Sequence, residues 1–333
     1  MLYNVITRLR NQLYDLGIRP SVTFEIPVIS VGNLTVGGTG KSPMIEYLIR
    51  LFSNNHKIAT LSRGYGRDTR GIRIASKLDN STTIGDEPLQ FYRKYGDRVI
   101  VSVGEERALA IAHILHEAED IQVILLDDAF QHRKVRPSFS ILLSDYNRPF
   151  YKDYLIPAGR LREARSGAER ADVLVVTKCP SEIREEEMME IEKAIRKYAT
   201  KPVFFATIHY GMTLPIGNRK SEIGKDIILM TGIADAAPLV RYVMKEFELK
   251  EHLQFRDHHI YTHQDIDKLE MMVMNNPGVS ILTTEKDKVK LESPEFGPYI
   301  RRLPFFYLPI EVEFIKNGRE FAELAVNSVR GVQ

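Results

Sequence analysis

The 333-residue chain has a single cysteine, Cys179. That excludes an intrachain disulfide framework and a cysteine-built zinc cluster, and makes a reducing compartment, by default the cytoplasm, the expected setting. No run of about 18 apolar residues occurs. The first 20 residues also lack the apolar core and small-residue cleavage site of a signal peptide, so neither a spanning helix nor secretion by that route is expected. A surplus of one charge is missing too: 46 basic and 44 acidic side chains leave +2. Nucleic acid is therefore not the default partner, and any basic site must be local. Internal repeats and low-complexity segments are absent. What remains is ordinary globular composition, 44 % hydrophobic and 27 % charged, in a chain long enough for two domains or a large α/β domain with an added lobe.

Short β-rich apolar runs alternate with helical patterns, the mark of βαβ units and a parallel sheet. Strands are predicted over 26–31, 57–61, 99–103, 123–126, 138–143 and 173–177, then 203–208, 227–231, 279–283 and 305–313. Helices are clearest over 43–52, 105–116, 181–198 and 262–275, the last with a capping-box start at Thr262 and Asp265. A change of lobe is expected near 205–225, where Gly211, Pro215 and Gly217 interrupt the pattern. This divides the chain into an N-terminal helix (1–18), a core (19–205) and a smaller C-terminal α/β lobe (206–333) that closes over a cleft. In the first segment Leu2, Val5, Ile6, Leu9, Leu13 and Leu16 recur at helical spacing with Arg8 and Arg10 among them. The helix is either docked on the core or interfacial, against anionic lipid.

The strongest motif is EIPVISVGNLTVGGTGKSPMIEYLIRLF, a strand running through a glycine-rich loop and Gly-Lys-Ser into an amphipathic helix. Such a loop needs small residues so that successive backbone N–H groups face phosphate oxygens, with the helix N-terminus adding positive potential. Thr35, Val36, Gly37, Gly38, Thr39, Gly40, Lys41 and Ser42 make up the loop, Lys41 serving as the cation for β- and γ-phosphates and Ser42 as a hydroxyl ligand for Mg²⁺. Thr35 stands where the usual pattern has glycine. A second anchor is VILLDDAFQH, a strand ending in Asp127 and Asp128, either of which could hold Mg²⁺.

Guanine specificity would call for Asn-Lys-x-Asp, and Thr177-Lys178-Cys179-Pro180 lacks its aspartate. A metal-delivery NTPase would cluster Cys and His, whereas nine histidines are scattered here. Phosphoryl transfer to a small acceptor is preferred over an NTP-dependent switch or metallochaperone, and requires a base for the acceptor hydroxyl. Asp86 in GDEPLQF and His258-His259 in FRDHHIYTH are the candidates, set against plainer roles as helix cap and turn residues. Cations for phosphate are Arg63 and Arg67 in SRGYGR, Arg107, and Arg160 and Arg162 in IPAGRLREARSGAER, where Glu163 could orient one of the pair. Arg165 and Arg170 read as a solvated face.

Taken together VGNLTVGGTGKSP, SRGYGR, GDEPLQF, LLDDAFQHR, IPAGRLRE, FRDHHIY and TTEKDKVKL resemble the tetraacyldisaccharide 4′-kinases, the lipid A kinases of Gram-negative bacteria, in the family's order over roughly residues 8 to 291. The resemblance implies a P-loop NTPase-like α/β fold, and transfer of the ATP γ-phosphate to the 4′-hydroxyl of an acylated glucosamine disaccharide 1-phosphate, with Mg²⁺. A kinase of a soluble sugar is the alternative within the same chemistry. It further implies a loop that begins with threonine, Asp86 as catalytic carboxylate with His258 as its partner, and Lys41 and Asp128 in the transfer itself. Asp127 and Asp128 are implied to be Mg²⁺-associated, and Arg63, Arg67, Arg107, Gln131, Arg160, Arg162 and Glu163 to bind the acceptor. Two departures stand out: Ala129 replaces the glycine of Asp-Asp-Gly, and the chain begins within the amphipathic part of a longer N-terminal segment. A monomer attached peripherally at the cytoplasmic face of the inner membrane is the expectation.

Overall fold

A computed structural model of the protein describes residues 2–217 and 222–331; the side chain of Leu2 and the remaining positions lie outside what is described. Its strands are β1 (Val28–Asn33), β2 (Ile58–Ser62), β3 (Arg73–Ile74), β4 (Val99–Val103), β5 (Val123–Asp127), β6 (Phe139–Asp145), β7 (Val173–Thr177) and β8 (Val203–Tyr210). These are followed by β9 (Leu214–Pro215), β10 (Asp226–Thr231), β11 (Glu248–Gln254), β12 (Ser280–Thr284), β13 (Phe305–Leu308) and β14 (Ile310–Lys316). The helices are α1 (Leu2–Asp15), α2 (Lys41–Phe52), α3 (Ser81–Ile84), α4 (Asp86–Tyr95), α5 (Arg107–Glu117) and α6 (Glu185–Ile195). The later ones are α7 (Ala237–Glu246), α8 (His263–Asn275), α9 (Glu285–Leu291), α10 (Gly297–Arg302) and α11 (Gly318–Arg330).

Two sheets result, ordered β14-β8-β7-β6-β1-β5-β2-β4-β3 and β11-β10-β12-β13-β9. In the first, only the edge strands β3 and β14 run antiparallel. The strands around β1 are buried throughout and largely apolar because helices cover both faces, as a parallel sheet demands. One face packs Ile29, Val31, Leu125 and Ile141 against Met44, Ile45, Leu48 and Phe52 of α2, and the other packs Val28, Ile124 and Leu126 against Ala110, Ile111 and Ile114 of α5. The second sheet has its own core, with Ile228, Met230, Ile281 and Phe305 packed against Ile266 and Leu269 of α8.

The run predicted as one strand over 305–313 is two strands in two sheets. Pro309 cannot donate a ladder hydrogen bond and marks the break: β13 pairs with β12, and β14 pairs with β8. The chain thus returns to the first sheet, where Val312, Phe321, Ala325 and Val329 join the α2 core. The last part of the stretch read as a C-terminal lobe therefore packs on the first core.

A charged cluster ties the two sheets together beneath the loop. Glu46 of α2 is buried and accepts hydrogen bonds from Lys94 Nζ (2.7 Å) and Gln90 Nε2 (2.7 Å). Lys94 also reaches Glu285 of α9 at 2.9 Å.

Candidate active site

β1 lies between β5 and β6, with Val31 in register with Asp127. The phosphate loop and the Asp127-Asp128 block therefore leave adjacent strand ends, where an open α/β sheet binds its ligand. The loop is braced from three sides. Asn33 Nδ2 donates to Thr39 Oγ1 (2.8 Å), Thr177 Oγ1 donates to the Thr39 carbonyl (2.8 Å), and Lys178 caps the Gly38 carbonyl while pairing with Asp145 at 2.8 Å. Gly40 precedes α2 at φ 82°, a left-handed conformation that costs glycine little. The N–H groups of Gly37 through Ser42 donate to no protein acceptor among the described residues. That leaves a row of free donors at a helix N-terminus, the chemistry a polyphosphate requires.

Thr35 begins the loop as an extended residue. It forms an antiparallel bridge with Leu161, Val36 N donates to the Arg160 carbonyl (2.8 Å), and Arg162 N donates to the Leu34 carbonyl (2.7 Å). Threonine suits that strand-like role, and the turning is done by the glycines that follow. The Arg162 guanidinium forks onto both oxygens of Asp128 at 2.8 and 3.2 Å, with Asn33 Oδ1 and the Thr35 carbonyl as further acceptors. Lys41 Nζ lies 3.8 Å from the same carboxylate. Burial would raise the Asp128 pKa, but Lys41 and Arg162 outweigh it and hold the group below the usual carboxylate range.

Asp127 differs from its neighbour. Burial pushes its pKa up to about 7, and its Oδ1 is enclosed without a hydrogen-bond partner among the described residues. A hard cation would satisfy such an oxygen. Two adjacent carboxylates, one with an unpartnered oxygen, are a donor set that fits Mg²⁺, which takes few carboxylates and completes its shell with phosphate and water. Ala129 is tolerated because the residue at positive φ is Asp128 (φ 50°), while Ala129 itself is buried at ordinary φ.

Asp86 is the first residue of α4; the cap is Gly85, at φ 92°, and the Asp86 carboxylate makes no capping bond. A Cβ at Gly85 would lie 3.0 Å from the Tyr65 carbonyl, so the SRGYGR loop packs backbone to backbone against the turn that aims Asp86. Asp86 Oδ2 sits 3.0 Å from His258 Nδ1, across from the second sheet. His258 Nε2 meets Lys286 Nζ at 3.2 Å. An ammonium offers only donors, so Nε2 accepts; the hydrogen is on Nδ1 and is donated to Asp86. Burial alone would raise the Asp86 pKa, yet the His258 hydrogen bond and the charges of Lys290 and Lys286 lower it, so the group is a carboxylate. Lys286 stays charged because Glu87 and Asp257 outweigh its burial.

The remaining predicted side chains separate into two groups. A cleft of about 260 Å³ is lined by Arg63, Asp128, Gln131, His132 and Arg162 together with Tyr3, Thr7 and Arg10 of α1. His132 is neutral there, since burial and the charges of Arg107 and Arg63 take its pKa down to about 4. Arg67, Arg107, Arg160 and Glu163 do not line it. The Arg67 side chain is buried and holds Glu105 and the Gly71 carbonyl, both at 2.6 Å, fixing the SRGYGR loop from within. Arg107 is buried behind the Asp127-Asp128 block with Nε and Nη2 unpartnered among the described residues, and burial lowers its pKa to about 10. Arg160 contributes its backbone to the loop. Glu163 orients neither Arg160 nor Arg162: it accepts from Arg170 (2.8 Å), Gln131 (3.0 Å) and Asn11 of α1 (2.8 Å). Arg165 and Arg170 are not a solvated face, because Arg165 donates to the Asp153 carbonyl and Arg170 lies 4.6 Å over the Phe130 ring. Sequence reasoning assigned no role to Lys286 or Lys290, although both lie in the TTEKDKVKL block, or to Tyr3 and Asn11 of α1. A larger hollow of about 360 Å³, lined by Tyr146, Glu187 and their neighbours, contains no loop residue; size alone does not locate the site.

The site thus comprises a phosphate loop, a carboxylate pair whose Asp128 lines the cleft, and a carboxylate-imidazole pair that joins the two sheets. Known proteins resemble the chain over nearly its whole length. Residues 1–329 match the family described as tetraacyldisaccharide-1-P 4′-kinase. The chain belongs to that family. Relatives named tetraacyldisaccharide 4′-kinase include one from Flavobacterium johnsoniae, 42 % identical over 96 % of this chain and 92 % of its own length. Another, from Phocaeicola vulgatus, is 42 % identical over 96 % and 90 %. A crystal structure of LpxK from Aquifex aeolicus in complex with ATP superposes with a TM-score of 0.76 at 29 % identity, covering 98 % of this chain and 96 % of that one. The P-loop α/β fold and the kinase class follow from this membership, and the switch and metallochaperone readings are not favoured.

Proposed function

We propose that this member of the family transfers the ATP γ-phosphoryl group to the 4′-hydroxyl of a tetraacyldisaccharide 1-phosphate, with Asp86 as the base. The observation that carries the reading is the 3.0 Å contact between Asp86 and His258, which joins the two sheets. The loop from Thr35 to Ser42 holds the polyphosphate through its free N–H groups, and Lys41 faces the charge that develops on transfer. Ser42, Asp127 and Asp128 are the residues that would hold Mg²⁺, which when bound neutralises phosphate charge. Asp86 Oδ2 is occupied by His258, so Oδ1 takes the acceptor hydroxyl's proton; His258 orients the carboxylate and Lys286 fixes the tautomer of His258. Arg63, Gln131 and Arg162 face the cleft that receives the acceptor headgroup. The second sheet brings His258 to Asp86.

The lipid end of the acceptor is accounted for by α1. This helix docks through polar groups: the Tyr3 hydroxyl donates to the Arg162 carbonyl (2.7 Å), Arg10 donates to the Gln131 carbonyl (2.6 Å), and Asn11 holds Glu163. Its apolar side chains Val5, Ile6 and Leu9 point to solvent, as does Leu16 just beyond its end. Among the described residues no helix is long and apolar enough to cross a membrane. An apolar face outward and a polar face inward reverse the usual docking of a helix, and fit one that lies in a bilayer surface at the mouth of the cleft.

Incubation with labelled ATP and Mg²⁺ tests the reading against three acceptors: the acylated disaccharide 1-phosphate, a soluble sugar, and water. Label on the lipid supports it. Label on the sugar alone selects a soluble-sugar kinase, and free phosphate alone removes the kinase reading.

A further inference from the structure

We propose that Lys290, from α9 of the second sheet, is a positioning residue for Asp86: it shares Oδ2 with His258 and leaves Oδ1 as the oxygen that takes the acceptor proton. The inference rests on the reading of Asp86 as the base. Lys290 is buried, and its Nζ lies 3.3 Å from Asp86 Oδ2, 3.3 Å from Asp287 Oδ1 and 3.1 Å from the His259 carbonyl. Two of its donors make hydrogen bonds, to Asp287 and to the His259 carbonyl, and its charge is thereby held against Asp86. Asp287 is fully buried, and its Oδ2 accepts from Gly232 N (2.9 Å) and from Thr284 Oγ1 (2.7 Å), the N-cap of α9. That anion is fixed by backbone, so the ammonium between the two carboxylates cannot swing away.

The two residues that hold the Asp86-His258 pair thus come from one helix. Lys286 and Lys290 stand four apart on the same face of α9; the first meets His258 from behind and the second meets Asp86 directly. The groups facing Asp86 are Glu87 from α4, Asp257, His258 and Tyr261 from the loop before α8, and Lys286, Asp287 and Lys290 from α9. Without Lys290, Asp86 loses a cation while Asp287 and Glu87 remain, so protonation of Asp86 becomes easier. The sign follows: the base works ionised, Lys290 favours the ionised form, and loss of Lys290 moves the acid limb of activity to higher pH. Since α9 belongs to the second sheet, the base is completed only when that sheet's helices pack on α4.

The test is the pH profile of kcat/KM for the full chain and for Lys290→Met, Lys290→Arg, Lys290→Met with Asp287→Asn, and Asp86→Asn, each checked by thermal melting. Titration of ATP and of the acceptor phosphate is common to all and cancels in the comparison. For Lys290→Met the acid limb is expected to rise by about one pH unit or more, and Lys290→Arg is expected to restore it. The double variant removes cation and anion together, which keeps the interior neutral, and shows a smaller shift in the same direction, because Asp287, whose charge opposes that of Lys290 at Asp86, is also gone. An acid limb superimposable on that of the parent in folded Lys290→Met or in the double variant, or a loss equal at every pH, overturns the role of Lys290 while Asp86→Asn remains inactive. Full turnover by Asp86→Asn overturns the reading of the base itself.

Discussion

Replacing Ile6 and Leu9 of α1 by serine should release the protein from lipid without touching its fold. Both side chains are 56 % exposed, so the folded protein has little to lose from their removal. Full burial of such a side chain contributes about 1.5–3 kcal/mol, and roughly half of each remains to be buried by acyl chains, about 1 kcal/mol apiece. The pair then contributes about 2 kcal/mol, which corresponds to roughly a 30-fold fall in partition onto vesicles. Arg8 is exposed on the same helix and adds about 1 kcal/mol with anionic lipid, a contribution that salt removes. Sedimentation with vesicles containing anionic lipid measures the partition, and thermal melting should find no change in Tm. Turnover of acceptor dispersed in detergent should be kept, while that of acceptor in vesicles falls with binding. Equal sedimentation of variant and parent at low salt would refute the argument, because no other role is assigned to these two side chains.

Lys41→Ala should abolish phosphoryl transfer with the fold retained, as checked by a labelled-ATP assay beside circular dichroism, since its Nζ is the cation at the loop and pairs only loosely with Asp128 at 3.8 Å. Asp86→Ala should lower kcat by about 10²-fold or more, and adding His258→Ala should cost little further; full additivity in that double-mutant cycle would separate the two residues. Gly85→Ala should destabilise by about 1–3 kcal/mol from its positive φ and crowding on the Tyr65 carbonyl. It should also lower kcat, because the same turn aims Asp86, and unchanged turnover would show that the aim is set elsewhere.

Much of the first sheet was legible because its strands are buried on both faces and so read as unbroken apolar runs. The predicted strands over 99–103 and 173–177 coincide with β4 and β7. The Thr262-Asp265 capping box was equally legible, being a local pair whose reciprocal hydrogen bonds depend on neighbouring residues alone. Elements near the site were harder. The strand β11, with sequence ELKEHLQ, is a mostly exposed edge without a repeating apolar face, and α9 is a seven-residue helix of alternating charge whose Glu285, Asp287 and Lys290 are buried, with partners for Glu285 and Lys290 far along the chain. Local sequence shows Lys290 as one charge among several; only the fold places it on Asp86. Arg67 shows the converse limit, since a Gly-flanked arginine has the same local signature whether it faces phosphate or a buried glutamate.

Backbone strain marks the site independently of side-chain chemistry. Four non-glycine residues among those described have positive φ, and three of them belong to the site: Asp128 lines the cleft, Lys178 braces the phosphate loop and His258 pairs with Asp86. Each conformation costs on the order of 1–3 kcal/mol and persists only where the surroundings over-determine it. Those surroundings are ionic here: Asp128 is gripped by Arg162, Lys178 by Asp145, and His258 lies between Asp86 and Lys286. The fourth, Asn317, caps α11 away from the cleft, where asparagine adopts this conformation at low cost. The strained positions stand immediately after β5 and β7 and in the loop before α8. Strain and charge pairing are thus coupled: the turn aims each group, and a charged partner holds the turn.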